Sequence, residues 1–353
     1  MKPDFTALVP LSFLYGAGMR LHRLLVKPKE LPRPVISVGN LTWGGTGKTP
    51  VVISLARFLE GNNLRACVLS RGYRRKSNGK QPLVVSDGKN IVAWPFDAGD
   101  EPALIARSVP RAVVMSGSDR FACGLAATER FNPDVFILDD GFQHWALRRN
   151  FDIICVNAVN PFGNGRLIPA GVLREPVSAL RRAQAIVITN ADMCPAEPLA
   201  GLIKKIRRET GAPVAATRYA LTSVTRLTDN TPMNVTEAIP HPVTAFSAIA
   251  DNNRFKTTLQ QHGLTVERHV TFRDHHWFTS SEIEALLAAA GNNPIVTTEK
   301  DAVRLAPLLE TMTAENARRF YAAKIMLEFM PGEQTWEKIL QNALPSLLTG
   351  TGR

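Results

Sequence analysis

The residues with the clearest potential for chemistry lie at positions 42–49, where a glycine-rich run ends in Gly47, Lys48 and Thr49. An apolar stretch precedes this run and a segment of helical length follows it, which is the setting of a phosphate-binding loop. Backbone N–H groups of such a loop point at phosphate oxygens, and the next helix adds its positive N-terminus. We therefore predict a nucleotide-phosphate site here. The predicted contacts are Thr42, Trp43, Gly44, Gly45, Thr46, Gly47, Lys48 and Thr49.

The loop departs from the strict pattern G-x-x-x-x-G-K-[ST], because Thr42 stands where that pattern has its first glycine. Strand, turn, Lys48 and helix nevertheless follow one another in the required order. In this role Lys48 reaches the β- and γ-phosphates, and the hydroxyl of Thr49 binds Mg²⁺. The predicted ligands are therefore ATP and Mg²⁺. The alternative is a coincidental glycine-rich turn before a helix.

A second motif consists of an apolar run at 135–138 that ends in Asp139 and Asp140. In phosphoryl-transfer proteins a buried strand of this kind delivers a carboxylate to the metal ion beside the phosphates. We therefore predict that the end of this strand contributes a carboxylate to the Mg²⁺ site. A buried strand with a solvated acidic end is the simpler alternative.

Candidates for proton transfer lie in two other segments. Asp100, followed by Glu101, opens a predicted helix, where it could either cap the helix or accept a proton from a hydroxyl group. Asp274, His275 and His276 are adjacent later in the chain. An imidazole paired with a carboxylate can tune a base, whereas the spacing of a helical zinc site is missing.

Arginines near these motifs are candidate phosphate contacts, because a guanidinium offers a planar fork of donors. The two that we single out are Arg120 and Arg174, the latter followed by Glu175. The whole chain carries a formal charge of +11, which implies an anionic partner such as phosphate, nucleic acid or an anionic membrane. Aromatic residues make up only 7% and no nucleic-acid-binding module is recognisable, so we expect no nucleic acid partner.

The elements that must position these residues follow an α/β pattern, in which short apolar runs alternate with segments of helical length. We predict strands at 34–39, 66–70, 112–115, 134–139, 152–156, 185–189, 243–247, 265–272, 294–298 and 322–329. We predict helices at 49–60, 100–107, 119–131, 197–209, 251–261, 280–290 and 334–342. Residues 210–242 are rich in Pro and Thr and are predicted to be a junction. The expected fold is therefore a P-loop NTPase-like parallel-sheet domain at 31–220 with a smaller α/β domain at 221–353.

The N-terminal segment 1–30 combines an apolar run at 5–19 with basic residues from Arg20 onwards. The run is shorter than the roughly 20 residues that span a bilayer. An apolar segment followed by cations fits a helix that lies in a membrane interface. The alternative is a buried first helix with a solvated basic end.

Several motifs occur together in one order and cover roughly residues 10–330. They are VGNLTWGGTGKTP (38–50), GDEP (99–102), SDR (118–120), LDDGFQH (138–144), GVLREP (171–176), DHH (274–276) and TTEKD (297–301). This combination closely resembles the tetraacyldisaccharide 4'-kinase (lipid A 4'-kinase) family of Gram-negative bacteria. Trp43 stands where we expect a small or apolar residue.

The resemblance implies an enzyme of lipid A biosynthesis on the cytoplasmic face of the inner membrane. It would use ATP and Mg²⁺ to phosphorylate the 4'-hydroxyl of an acylated disaccharide 1-phosphate lipid, with no obligate protein partner evident. By similarity Asp100 is the catalytic base and His275 its partner from the second domain, while Lys48 acts on the phosphates. The metal ligands are expected to be Thr49, Asp139, Asp140 and Glu175. The polar residues that line the site are expected to be Glu101, Arg120, Gln143, His144 and Arg174.

Two rival nucleotide-binding classes lack a signature residue. A membrane-cycling regulatory P-loop ATPase would have a lysine at position 43, where this chain has Trp43. A GTPase would have an N-K-x-D motif, and the nearest stretch, 189–192, lacks the lysine. The regulatory ATPase is the main alternative.

Overall fold

The computed structural model describes residues 6–72, 81–229, 231–235, 239, 242–332 and 334–349. The chain divides into two compact units. The first unit consists of Met1–Ala93, Ile105–Arg218 and Phe329–Arg353, and the second consists of Trp94–Leu104 and Tyr219–Glu328.

A mostly parallel β-sheet forms the centre of the first unit. Its strands are β1 (Val35–Asn40), β2 (Ala66–Ser70), β3 (Leu83–Asp87), β4 (Val113–Ser116), β5 (Val135–Asp139), β6 (Phe151–Asn157), β7 (Ala185–Thr189) and the start of β8 (Val214–Arg226). The strand order is β3-β4-β2-β5-β1-β6-β7-β8, and the edge pairing of β3 with β4 is antiparallel. Every residue of β1, β2, β4, β5 and β7 is buried, as expected for strands that are covered on both faces.

The second unit has its own parallel strands. They are β10 (Val243–Ser247), β11 (Val266–Thr271), β12 (Ile295–Thr298) and β13 (Phe320–Phe329), joined by the end of β8 and the two-residue β9 (Pro232–Met233). Their order is β11-β10-β12-β13-β8, with β9 paired to β8. β10 pairs in parallel with both β11 and β12, and β12 pairs in parallel with β13. This unit is therefore a second, smaller α/β structure.

The α-helices connect these strands. In chain order they are α1 (Val9–Leu25), α2 (Lys48–Gly61), α3 (Pro95–Ala98), α4 (Asp100–Ser108), α5 (Arg120–Phe131), α6 (Ala196–Glu209), α7 (Asn252–Gln261), α8 (Ser280–Ala290), α9 (Glu299–Leu309), α10 (Ala314–Ala317) and α11 (Trp336–Thr349). Helix α4 begins in the second unit and ends in the first. Short 3₁₀ segments occur at Thr6–Leu8, Val177–Arg182 and Ala191–Met193.

The α/β fold class and nearly all predicted elements are confirmed, with boundaries within two residues except at the last helix, which extends to Thr349. The predicted junction at 210–242 is wrong in its first half, because β8 occupies 13 residues there. The Thr residues that suggested a loop are also favourable in strands, and Pro213 stands just before the strand, where it removes no ladder hydrogen bond. β3 and α9 were not predicted.

The two units differ from the predicted domain ranges in two places. The segment Trp94–Leu104, which contains Asp100, belongs to the second unit and not to the predicted range 31–220. The segment Phe329–Arg353, which contains α11, belongs to the first unit and not to the range 221–353. Apolar periodicity along the chain identifies elements but not the sheet on which each one packs, so it could not assign these segments.

β1 lies at the middle of the first sheet, between β5 and β6, and leads directly into the glycine-rich loop. Its fifth residue, Gly39, is in close contact with the segment after β5. A Cβ atom at Gly39 would lie 2.5 Å from the Cβ of Phe142 and 2.8 Å from its backbone nitrogen. Phe142 is fully buried, so neither residue has room to move away.

We predict that Gly39→Ala destabilises the first unit by about 1–3 kcal/mol, because the added methyl group overpacks a backbone contact. The measurement is the free energy of unfolding in urea. Gly201→Ala is the matched control, since a Cβ there meets nothing within 4 Å and the residue lies inside α6. The control is expected to raise stability by up to about 1 kcal/mol through helix propensity. Equal effects of the two substitutions would contradict the contact argument.

Candidate active site

The glycine-rich loop of the first unit connects the end of β1 to the first residue of α2, Lys48. Gly44 has φ 112° and Gly47 has φ 73°, in the left-handed region that favours glycine. A Cβ at Gly44 would meet nothing within 4 Å, so the backbone conformation and not the lack of space demands glycine at this position. The loop therefore turns its backbone at the start of a helix, as a phosphate-binding loop requires.

Hydrogen bonds from neighbouring segments hold this loop in place. The amide of Asn40 donates to the Thr46 hydroxyl over 2.7 Å, and the Thr189 hydroxyl donates to the Thr46 carbonyl over 3.1 Å. On the other side the backbone N–H of Trp43 donates to the carbonyl of Val172 over 2.7 Å. The loop is thus fixed by groups from β1, β7 and the 171–176 segment before any ligand binds.

Lys48 points towards the end of β5, where its Nζ lies 3.5 Å from Oδ1 of Asp140. Arg174 donates to both oxygens of the same carboxylate over 3.0 Å. Burial works to raise the pKa of Asp140, but the charges of Lys48 and Arg174 outweigh it and hold that pKa below its ordinary value. Asp140 also has φ 50°, an uncommon backbone conformation for a non-glycine residue.

Asp139 is the last residue of β5, and its buried carboxylate accepts a hydrogen bond from the Ser70 hydroxyl over 3.1 Å. Thr49, the second residue of α2, is the metal ligand that was predicted from the glycine-rich loop motif. Within the described ranges no three His, Cys, Asp or Glu side chains are clustered as a ready metal site. Mg²⁺ is commonly held by one or two carboxylates together with water and substrate phosphates, and Asp139 and Asp140 are the two carboxylates predicted for that role.

Glu175 fits a metal-ligand role less well than these residues. Arg182 donates to both of its oxygens, over 2.8 and 3.0 Å, and Gln143 donates to Oε1 over 3.0 Å. Gln143 also donates to the carbonyl of Asn40, the last residue of β1. Here Glu175 therefore positions Gln143 beside the loop, and a metal ion would have to compete with a guanidinium for its oxygens.

Arg120 and His144 form a second polar cluster near the two acids. Arg120 is buried at the first turn of α5, and its Nε has no hydrogen-bond partner within the described part of the chain. A buried guanidinium nitrogen without a partner carries a desolvation cost that an anionic ligand would relieve. Burial, with the charges of Arg120 and Arg149, lowers the pKa of His144 to about 4. His144 is consequently neutral at physiological pH.

Trp43 is an exposed residue of the loop, with 69% of its surface open to solvent. The guanidinium carbon of Arg174 lies 5.9 Å from the centre of its ring, within the range of a cation–π contact. The same guanidinium binds Asp140, so it connects the loop side chain to the predicted metal position. We find no catalytic role for Trp43 in this geometry.

In the second unit Asp100 and His275 form a close pair. The Nδ1 atom of His275 lies 2.7 Å from Oδ2 of Asp100, and the other oxygen accepts the backbone N–H of Glu101 over 3.0 Å. Asp100 is 5% exposed and His275 has φ 62°, a backbone conformation that in non-glycine residues is often found at functional sites. Pairing with a histidine is therefore observed, whereas the contact with Glu101 comes from the next residue and is not the bond to the second or third helical residue that an N-cap side chain makes.

The sequence predicted Asp100 and His275 as partners from different domains. In the structure both belong to the second unit, because Trp94–Leu104 lies with that unit. In the first unit the structure brings together Lys48, Asp140 and Arg174, which were predicted from separate motifs. Glu101 stands beside Asp100, 3.9 Å from the Nζ of Lys300.

Two cations that sequence reasoning missed also face Asp100. The Nζ atom of Lys300 lies 3.6 Å from its Oδ2, and the Nη1 atom of the fully buried Arg304 lies 3.3 Å from the same oxygen. Both cations are on α9, which was not predicted. The sequence feature that could have pointed to these cations is the TTEKD motif at 297–301, where a buried strand ends in charged residues.

These contacts decide the protonation state of Asp100. Burial works to raise its pKa, but the hydrogen bond from His275 and the charges of Lys300 and Arg304 lower the pKa to about 2. The carboxylate is therefore ionised at neutral pH.

A pH-dependent stability follows from this pKa. Because the folded-state value lies below the usual 3.8, the ionised carboxylate stabilises the fold above about pH 4, and that contribution is lost as pH falls towards 2. Unfolding free energies of wild type and Asp100→Asn should differ by about 2 kcal/mol more at neutral pH than at pH 2. Glu284→Gln, an exposed carboxylate on α8, is the control and should show little pH dependence. A constant difference between wild type and Asp100→Asn would argue against the paired carboxylate.

The chain is similar to proteins of one family along nearly its whole length. The chain matches the family model for tetraacyldisaccharide-1-P 4'-kinase over residues 5–345. A tetraacyldisaccharide 4'-kinase of Geobacter metallireducens is 39% identical over 344 residues, which cover 94% of this chain and 97% of that relative. One from Syntrophotalea carbinolica is 42% identical over 310 residues, which cover 86% of this chain and 84% of the relative.

A solved structure extends the similarity to three dimensions. It is the crystal structure of the "apo" form of LpxK from Aquifex aeolicus in complex with ATP. The match has a TM-score of 0.77 at 33% identity and covers 98% of this chain and 99% of that chain. On the family model and these relatives, the chain belongs to the tetraacyldisaccharide-1-phosphate 4'-kinase family.

Proposed function

We propose that this protein transfers the γ-phosphoryl group of ATP to the 4'-hydroxyl of a tetraacyldisaccharide 1-phosphate, a step of lipid A biosynthesis. The observation that carries the proposal is membership of the 4'-kinase family along nearly the whole chain, 5–345. The Lys48 loop supports the phosphate-binding half of the reaction. The buried Asp100–His275 pair supports the acceptor half.

Lys48 and the loop amides would hold the phosphates of ATP, and Thr49, Asp139 and Asp140 would hold Mg²⁺. When bound, Mg²⁺ would neutralise negative charge on the transferred phosphoryl group. The partnerless buried Nε of Arg120 fits an additional phosphate oxygen, and Arg174 orients Asp140. Glu175 remains a predicted metal ligand, and Gln143 and His144 remain predicted lining residues of the site.

Asp100 would accept a hydrogen bond from the acceptor hydroxyl and then its proton. A carboxylate with a pKa of about 2 is a weak base, so its main contribution would be to orient the hydroxyl oxygen. That suits phosphoryl transfer, whose loose transition state requires little proton removal before the new bond forms. His275 would hold the carboxylate, and Glu101 would line the same site.

The activity test is transfer of label from γ-labelled ATP to detergent-solubilised tetraacyldisaccharide 1-phosphate in the presence of Mg²⁺. Label in the lipid fraction supports the kinase. Label that is released only as free phosphate, with or without lipid, contradicts the kinase and favours the alternative of a regulatory P-loop ATPase.

We predict that Asp100→Ala lowers the rate of phosphoryl transfer by about 10²–10⁴-fold and leaves the dissociation constant of ATP nearly unchanged. The reason is that Asp100 acts on the acceptor and lies in the second unit, while the phosphate loop lies in the first. Transfer assays and nucleotide titration measure the two effects. Lys48→Met is the contrasting variant, since it should weaken both. An Asp100→Ala enzyme with near-normal turnover would show that Asp100 is not the base.

We also propose that α1 attaches the protein to the inner membrane, as a peripheral enzyme on the cytoplasmic face. Among its residues only Ser12 is buried, so the alternative of a buried first helix is wrong. Ser12 ties the helix to the first unit by donating to the carbonyl of Leu167 over 2.8 Å. Large apolar side chains are exposed along the same helix. They are Leu11, Phe13, Leu14, Leu21, Leu24 and Leu25.

Such exposed apolar side chains are costly in water and gain free energy at a membrane interface. The basic residues Arg20 and Arg23 alternate with them and suit anionic headgroups. No helix within the described ranges is both long enough and apolar enough to cross a bilayer.

Charged substitutions on α1 test the attachment. Phe13→Asp combined with Leu24→Asp should weaken binding to anionic vesicles by at least about 10-fold, because each large apolar side chain contributes roughly 1.5–3 kcal/mol on burial. Vesicle sedimentation measures binding. Val159→Asp, at an exposed apolar residue elsewhere in the first unit, is the control and should have little effect. Unchanged sedimentation of the double variant would rule out α1 as the anchor.

A further inference from the structure

Lys300 lies among the residues predicted to act on the acceptor hydroxyl, but no role in the reaction has been assigned to it. Its Nζ lies 3.3 Å from Nε2 of His275, 3.4 Å from Oδ1 of Asp274 and 3.6 Å from Oδ2 of Asp100. The side chain is only 18% exposed. An ammonium group has three donors, and here three acceptors surround it.

The local fold makes this position unfavourable for a cation by itself. Lys300 is the second residue of α9, where the positive end of the helix dipole disfavours positive charge. The helix start is already capped, because the Thr298 side chain accepts the backbone N–H of Asp301. The nearby carboxylates of Asp100 and Asp274 offset the cost, so the ammonium is retained by the cluster and not by the helix.

The contacts of Lys300 also determine which nitrogen of the His275 ring carries a proton. An ionised carboxylate only accepts hydrogen bonds, so the 2.7 Å contact with Asp100 requires a proton on Nδ1. A charged ammonium only donates, so its approach to Nε2 requires that this nitrogen carry a lone pair. Oδ2 of Asp274 lies 3.6 Å from the same Nε2, beyond hydrogen-bond distance, so the two closer contacts select the neutral imidazole with its proton on Nδ1.

We propose that Lys300 is a positioning residue of the transfer reaction, which holds His275 in this neutral form and keeps Asp100 ionised and oriented towards the acceptor hydroxyl. This role deepens the proposed kinase function and presupposes it. The groups that face Asp100 and Lys300 are the neutral imidazole of His275 and the charged side chains of Arg304, Glu101 and Asp274, while Asp301 pairs with Arg304.

Removal of the Lys300 ammonium group should raise the pKa of Asp100. Burial works against the ionised carboxylate, and one of the cations that opposed this effect would be absent. The pKa of Asp100 then rises. Loss of Lys300 should therefore move the acid side of the pH–rate profile to higher pH, which a purely structural lysine would not do.

The test compares Lys300→Met, Lys300→Gln and Lys300→Arg in the full-length protein. We expect Lys300→Met and Lys300→Gln to lower kcat at least about 10-fold, leave the KM for ATP unchanged and shift the acid limb up by about one pH unit or more. Lys300→Arg, which keeps the charge, should restore the position of the acid limb. Lys256→Met, on α7 of the same unit, is the control and should leave kcat and the acid limb unchanged.

A second readout does not depend on activity. In ¹⁵N-labelled protein the imidazole nitrogens of His275 should show the neutral form with the proton on Nδ1, and Lys300→Met should change the Nε2 resonance, because the ammonium group no longer donates to that nitrogen. If wild type transfers no phosphate to the lipid, the kinase proposal fails while this measurement still tests Lys300. The inference is overturned if Lys300→Met leaves the Nε2 resonance unchanged, or if Lys300→Arg is as impaired as Lys300→Met.

Discussion

Burial of a carboxylate costs free energy unless cations or donors face it, and this constraint shapes both candidate sites. In the first unit Asp140 is stabilised by Lys48 and Arg174. In the second unit Asp100 is stabilised by His275, Lys300 and Arg304. In each arrangement cations keep the carboxylate ionised, although only Asp100 is buried and the side chain of Asp140 is 36% exposed, and each arrangement fixes the side chains around the acid.

Residues of both candidate sites adopt uncommon backbone conformations. Asp140 and His275 have positive φ values, and Gly44 and Gly47 of the loop do as well. Such conformations cost free energy and persist where surrounding contacts determine them. Here those contacts are the hydrogen bonds that hold the loop and the pairing of His275 with Asp100, so local strain and charge pairing occur at the same positions.

The N-terminal helix follows a different constraint. Ser12 and the loop near Leu167 attach α1 to the first unit, while its large apolar side chains remain exposed. A helix of this kind gains little from the core of the protein and much from an amphiphilic surface. The substrate class of the family, an acylated and phosphorylated lipid, is consistent with such a surface.

The sequence by itself determined the elements and the phosphate loop. Apolar period, turn residues and helix starts are local properties, so β1, the loop and α2 could be predicted within one residue. The acidic end of β5 and the Asp100 and His275 motifs were likewise visible as residue types. Family membership was also readable from the order of these motifs.

Only the tertiary structure decided which of these groups meet. It assigned Asp100 to the same unit as His275, paired Glu175 with Arg182, and surrounded Asp100 with Lys300 and Arg304 from a helix that was not predicted. These contacts join residues as much as 204 positions apart, from Asp100 to Arg304. Local periodicity carries no information on such pairings, because they arise from strand order and from the requirement that buried charges find partners.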